Sequence, residues 1–462
     1  MNKKRDLLIV LGVLAALFLI PLGVRFFLAF PVIDNPAVFN SQSVKWDLKL
    51  SHPYVAQNSD GELVLNLRFK GTERKAKGKR TPLNLVLVID RSGSMADKGK
   101  LEYAKKAATQ IVSALRSTDR LGLVSYSDNV QLLYPLQFLE ARDVAIIAIN
   151  SLTPTNSTNL SGGLVKGIEE LKGVDGKGRL NRLILLSDGL ANRGITAIPQ
   201  LSRIASDAAE TGIGITTMGL GLHFDENLLM SLAEHGTGNY YFIESPAQVA
   251  SIFEREFGEM INTVAKSPAV YFRFPKGVEV KEVYGYEYSE VDGGIRINTG
   301  DLYGGQERNI MVKIKVPTDK PGKQSLGSAT FQYMDMNNGA KPVRLVKTLS
   351  YHCTEDKKMV EVNKNELVIA QKVSKDAALS LYRAAGDYEG GRRNDAIGKV
   401  QSALEELSNL NKSSFRTEET ERQEFEMRGA LRYMQTSAPS PQSVEGKRFL
   451  KQHKARAREL QK

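Results

Sequence analysis

Between Leu83 and about Thr263 apolar runs alternate with helical patterns, and no other feature of the chain narrows its fold as much. The runs are Leu83 to Ile89, Leu121 to Tyr126, Leu183 to Leu186 and Ile213 to Leu220. Strands alternating with helices in this way predict an α/β fold, a doubly wound and mostly parallel sheet with helices on both faces. One intervening helix carries Ala104, Ala107, Ala108, Ile111, Val112 and Leu115 on one face, while Lys105, Lys106 and Gln110 stay outside. Its apolar stripe can pack on the sheet.

The flanks follow a different period. Val44, Trp46, Leu48 and Leu50, and then Leu63, Leu65, Leu67 and Phe69, alternate with polar residues, as half-buried strands do. A polar, basic stretch from Gly71 to Arg80 follows as a linker. Past Lys266 alternation by two returns, clearest in Ile310, Val312, Ile314 and Val316, with Asn338-Gly339 as a hairpin signal. Two strands are too few to stand alone, so those before the linker are expected to pair with strands in 267–352. The α/β unit is then inserted in a β-sandwich. From Leu367 the pattern turns helical, with Ala396, Val400, Ala403, Leu404 and Leu407 on one face after a turn region from Gly386 to Gly391. This part resembles one tetratricopeptide-like helix pair, but no second copy stands at fixed period, so a helical appendage is expected. The expected divisions are 1–30, 31–80, 81–264, 265–355 and 356–462. Lys447 to Lys462 reads as a basic tail, either a solvated helix end or a lipid or partner contact.

At the amino terminus Lys3, Lys4 and Arg5 precede an apolar run from Leu7 to Val24. As a helix rising about 1.5 Å per residue it reaches roughly 27 Å, close to a bilayer core. Residues 1–30 therefore read as a transmembrane signal anchor, with the amino end cytoplasmic and the main domains exported, periplasmic or extracellular. A cleavable signal peptide is the competing reading, and no small-x-small cleavage pattern follows the run. Elsewhere, 42% hydrophobic and 25% charged residues exclude wholesale disorder and a polytopic membrane protein. The lone Cys353 excludes an intrachain disulfide framework, a thiolate zinc cluster and a paired-thiol redox site. The net charge of +11 permits attraction to anions, but no nucleic-acid arm is identified.

The chemistry-bearing residues gather at strand ends. Asp90-Arg91-Ser92-Gly93-Ser94-Met95 stands at the carboxyl end of the first apolar run. Downstream come Thr158, within Ser157-Thr158-Asn159, and Asp188, within Ser187-Asp188-Gly189. In a doubly wound sheet ligands bind outside the carboxyl ends of the strands, where these loops would converge. The stretch from Leu83 to Thr263, about two fifths of the protein, resembles a von Willebrand factor type A domain, a Rossmann-like fold. Asp-x-Ser-x-Ser is the metal-ion-dependent adhesion site of that family. The resemblance implies that Ser92, Ser94 and Thr158 offer hydroxyl oxygens to a divalent cation, and that Asp90 and Asp188 act directly or through water.

Two carboxylates and three hydroxyls suit Mg²⁺, with Mn²⁺ or Ca²⁺ as further candidates. Few anionic ligands leave such an ion able to take a partner's Asp or Glu carboxylate, as the family implies. The alternative role of these residues is local capping of the following helix and turn. An enzymatic alternative, a metal-dependent phosphohydrolase with Asp90 as nucleophile, expects a second acid where Ser92 stands. Neither a Gly-x-Ser-x-Gly elbow nor a Gly-Lys-Ser/Thr phosphate loop is present. The expectation is a membrane-anchored, non-enzymatic adhesion protein that binds a protein partner and no small-molecule substrate.

Overall fold

The computed structural model describes residues 43–73, 81–155, 157–436 and 439–461. The expected membrane segment, residues 1–30, and most of the basic linker lie outside them. No described helix is long and apolar enough to cross a membrane.

The chain enters through β1 (Val44–Leu50), β2 (Tyr54–Ala56) and β3 (Glu62–Gly71). The α/β unit follows as β4 (Leu83–Asp90), α1 (Lys100–Ala114), β5 (Arg120–Tyr126), β6 (Val130–Phe138), α2 (Arg142–Asn150) and α3 (Leu160–Lys172). It is completed by β7 (Leu180–Ser187), α4 (Ile198–Glu210), β8 (Ile213–Leu220), α5 (Glu226–His235), β9 (Thr237–Ile243) and α6 (Val249–Ile261). These strands form one sheet in the order β6-β5-β4-β7-β8-β9, parallel except for β6. Helices cover both faces. Ala104, Ala108 and Ile111 of α1, with Ile149 and Phe253, pack on one, and Leu164, Leu201 and Leu228 pack on the other. Every residue of β4, β7 and β8 is buried, as expected for central strands flanked by helices. Strands β6 and β9 are the two edges and are only partly buried, so they lack the apolar run that announces the others.

After the α/β unit come β10 (Thr263–Arg273), β11 (Glu279–Val283), β12 (Tyr288–Val291), β13 (Gly294–Asn298), β14 (Leu302–Tyr303), β15 (Glu307–Lys315), β16 (Gly322–Asp335) and β17 (Lys341–Thr354). Strand β3 runs antiparallel to β15 from Glu62 opposite Lys315 to Lys70 opposite Glu307, in a sheet ordered β1-β3-β15-β11. A second sheet, ordered β12-β13-β10-β16-β17-β2, shares its core with the first, where Leu65, Leu67 and Phe69 meet Phe272 and Phe331. The β16–β17 hairpin turns through a short 3-10 segment to Gly339, whose φ of 65° is left-handed.

The amino-end edge of the α/β sheet is fastened to these sheets by buried charge. Arg182 on β7 pairs with Asp301, and Asp301 Oδ1 accepts from the Ser267 amide at 2.8 Å. Lys266 Nζ donates to the Arg179 carbonyl at 2.6 Å, and burial pushes its ammonium down to about 8. The carboxyl-end edge is left for other work.

The chain closes with α7 (Lys357–Val362), α8 (Glu366–Glu389), α9 (Arg393–Asn411), α10 (Glu418–Gln435) and α11 (Val444–Gln461). Helices α8 to α11 share one core around Leu381, Val400, Met427 and Phe449. Two expectations are corrected here. Helix α8 runs through Gly386 and ends only at Gly390, so the turn is shorter than the glycines suggested. The basic tail is instead a docked helix. Lys451 and Lys454 of α11 are buried, Lys454 Nζ reaches Glu389 Oε2 at 2.6 Å, and Lys451 Nζ donates to the Phe224 carbonyl at 3.1 Å. The long stems pack while the charged heads find partners on α8 and on the β8–α5 loop.

Candidate metal centre

Strand β4 ends at Asp90, fully buried, and the chain then makes a tight 3-10 turn over Gly93–Gly99. Asp90 Oδ1 accepts from the Ser92 amide at 2.8 Å, and Oδ2 accepts from Ser187 Oγ at 2.9 Å. Met95, buried in the sheet core, anchors the turn, and its amide donates to the Ser92 carbonyl at 3.0 Å. Burial pushes the Asp90 carboxyl up from 3.8 to about 6. The hydrogen bonds from Ser92 oppose this, and the charge of Asp188 adds to it. A carboxylate in this position is stabilised by any cation brought near it.

The second loop is clamped to the first. Ser92 and Thr155 form a parallel bridge, and the Thr155 amide donates to the Arg91 carbonyl at 2.7 Å. Thr158 follows, 4% exposed, immediately before α3, whose amino end is capped by Asn159 accepting from the Gly162 amide at 3.0 Å. The third loop holds Thr158 from the other side. The Thr158 amide donates to Asn192 Oδ1 at 2.9 Å, and its carbonyl accepts from the Asn192 amide at 3.1 Å. Asp188, fully buried, follows β7, and its Oδ1 accepts from Ser94 Oγ at 2.7 Å.

The hydroxyls converge. Ser92 Oγ and Ser94 Oγ are 3.2 Å apart. A Cβ placed on Gly189 would stand 3.5 Å from Ser94 Oγ, 3.5 Å from Thr158 Oγ1 and 4.0 Å from Ser92 Oγ. Three hydroxyl oxygens from two loops thus surround one point left free by the missing side chain of a third, with both carboxylates behind them. Oxygen-only donors, two anionic and three neutral, form a set that fits a hard divalent cation. Ser94 and Gly189 are partly exposed, so the cluster opens to solvent, and Leu190 beside them is 59% exposed.

All five residues singled out by the sequence stand in this cluster. Four contributors were not read from it. Ser187 orients Asp90, Asn192 holds Thr158, and Gly189 leaves the space. Lys100 is the fourth, with Nζ 2.6 Å from Asp188 Oδ2. The Ser187-Asp188-Gly189 triplet was the one available signal for two of them. Among the described residues no group of three or more His, Cys, Asp or Glu side chains could hold a metal, and this cluster itself offers two carboxylates beside its hydroxyls.

Comparison with known proteins agrees with this architecture. The uncharacterized protein YfbK of Escherichia coli K12 is 25% identical over 270 residues, covering 57% of this chain and 47% of the relative, so the chain spans about half that relative's length. The uncharacterized protein sll0103 of Synechocystis is 26% identical over 331 residues, covering 68% of this chain and 76% of the relative. The solved structure of a von Willebrand factor type A protein from Catenulispora acidiphila superposes with a TM-score of 0.70 at 16% identity, covering 91% of this chain and 97% of that one. The likeness therefore extends in fold to the sandwich and helices. The sequence profile of the von Willebrand factor type A domain matches the α/β unit itself, and residues 84–255 of this chain are a von Willebrand factor type A domain.

Proposed function

We propose that this protein binds a protein partner through a divalent cation held by Asp90, Ser92, Ser94, Thr158 and Asp188, with an Asp or Glu carboxylate of the partner as the visiting ligand. Domains of this family often mediate protein–protein interactions. The observation that carries the reading is the convergence of three hydroxyls on one point above Gly189, in front of two buried carboxylates. Mg²⁺, or Mn²⁺ or Ca²⁺ in its place, would supply an electrophilic position for an exogenous oxygen. The chain's own part is to hold the hydroxyls in register. Ser92 is fixed by Asp90 and the Thr155 bridge, Thr158 by Asn192, and Ser94 by Asp188. Leu190 gives the rim an apolar contact that a partner would cover. The role is recognition and not catalysis, with the sandwich and helices as presentation and assembly surfaces.

The apolar run from Leu7 to Val24, with basic residues before it, supports a membrane-anchored protein whose main domains are exported. The test uses the full chain as bait on native membranes with Mg²⁺ or with chelator, beside Asp90→Ala. Capture that needs Mg²⁺ and is lost in Asp90→Ala supports the reading. Capture that survives both chelator and the substitution refutes it, as does Mg²⁺-dependent turnover of a generic phosphoester.

A further inference from the structure

Lys100 is brought to the cluster by an unusual backbone. Within the Gly93–Gly99 turn, Asp97 leaves helical geometry at ψ 135° and Lys98 is left-handed at φ 52°. Gly99, left-handed at φ 68°, then opens α1. Two successive left-handed residues, one of them not glycine, fold the chain back on itself at a conformational cost. The result is that Lys100, six residues beyond Ser94, aims Nζ at the Ser94 carbonyl oxygen, 3.4 Å away, and at Asp188 Oδ2, 2.6 Å away. Lys100 is only 6% exposed. Gly221, left-handed at φ 81° after β8, lies against its stem, and a Cβ there would stand 3.6 Å from Lys100 Cε.

Asp188 is thereby divided. Its Oδ1 faces the Ser94 hydroxyl and the cluster, and its Oδ2 faces the ammonium. With two carboxylates, a divalent cation alone would bring the cluster to neutrality, and the fixed ammonium leaves it with one net positive charge. Lys100 and Asp188 are buried, so this charge is screened less than one in bulk water and acts on both the metal and a visiting anion at the cluster's open side.

We propose that Lys100 is a built-in counter-cation, which weakens divalent-metal binding and makes the loaded site select an anionic oxygen, a carboxylate, over a neutral one. This rests on the metal-dependent reading above. It makes Lys100 a positioning residue and specificity determinant outside the ligand set.

The experiment titrates the full chain with Mn²⁺ by calorimetry, comparing wild type with Lys100→Met, which keeps the stem, and Lys100→Gln, which keeps a donor toward Asp188 without the charge. Lys100→Arg keeps the charge. Both uncharged variants are expected to bind Mn²⁺ at least about tenfold tighter, with Lys100→Arg close to wild type. The rise in thermal midpoint on moving from chelator to Mn²⁺ should be larger in the uncharged variants, because binding to the native state alone stabilises it. Added acetate should lower the water-proton relaxivity of bound Mn²⁺ more in wild type than in Lys100→Met, while acetamide should do little in either. A variant that folds only when Mn²⁺ is present supports the same conclusion, the metal having replaced the missing charge. Equal or weaker Mn²⁺ binding by both uncharged variants, with wild type binding, overturns the role of Lys100 and leaves the metal reading standing. Failure of wild type and variants alike to bind Mn²⁺ overturns both.

Discussion

Asp90→Asn should make the metal-free protein more stable while removing the stabilisation that metal confers. Asp90 is fully buried, and its carboxyl is pushed up from 3.8 to about 6 mainly by loss of water. Holding it ionised at pH 7 therefore costs about 3 kcal/mol of native stability, at about 1.4 kcal/mol per pKa unit. The sign follows from where protons bind. Between about pH 6 and 3.8 the native state holds a proton that the unfolded chain has released, so this penalty fades as pH falls and is gone below 3.8. Asparagine keeps the shape, its oxygen can accept from the Ser92 amide, and Ser187 Oγ can turn to accept from its nitrogen. In chelator at pH 7 the thermal midpoint of Asp90→Asn should exceed that of wild type by roughly 5–10 °C, and the gap should close near pH 4. Adding Mg²⁺ should raise the wild-type midpoint and leave the variant's unchanged. A variant no more stable than wild type in chelator at pH 7, or a gap that widens toward low pH, would refute the argument that this carboxylate is kept for function at the expense of stability.

Asn192→Ala removes the acceptor of the Thr158 amide, and should cost about 1 kcal/mol while weakening Mg²⁺ binding measured by calorimetry. Phe449→Ala deletes a ring stacked on Tyr433 with centroids 4.2 Å apart, and should cost about 3–5 kcal/mol, releasing α11 first as read by hydrogen exchange. Burial beside Phe449 pushes the His453 imidazole down from 6.5 to about 4. The unfolded chain takes up the proton first, so the stability this group contributes is complete above about pH 6.5 and lost as pH falls toward 4. That loss, about 3 kcal/mol for roughly 2.5 pKa units, should disappear in His453→Gln, as measured by urea denaturation at stepped pH.

The parts of the fold that announced themselves were those in which one element's own pattern reports its burial. Strands β4, β5, β7 and β8 lie within three residues of their apolar runs, because a strand covered on both faces is mostly apolar and holds a polar residue only where it finds a partner. Strand β6 was missed for the complementary reason. It is an edge with a wet face, and a residue such as Leu132, 37% exposed, carries no periodic signal. The charge run of α11 was read as a tail because nothing along those residues reveals that Lys451 meets Phe224 or that Arg458 meets Glu234, more than two hundred positions earlier.

The same division holds at the cluster. The linear sequence determined the α/β alternation, the strand-end placement of Asp90 and Asp188, and the hydroxyl-bearing residues that could accompany them, since these follow from local periodicity and residue chemistry. Only the tertiary structure decided that Ser94 reaches Asp188, that Gly189 leaves the point where three hydroxyls meet, and that a lysine at the start of a helix turns inward to pair with a carboxylate 88 residues away. Periodicity reports how much water an element sees. Which charge stands opposite which is set by backbone turns and by packing between distant segments, and no local pattern encodes it.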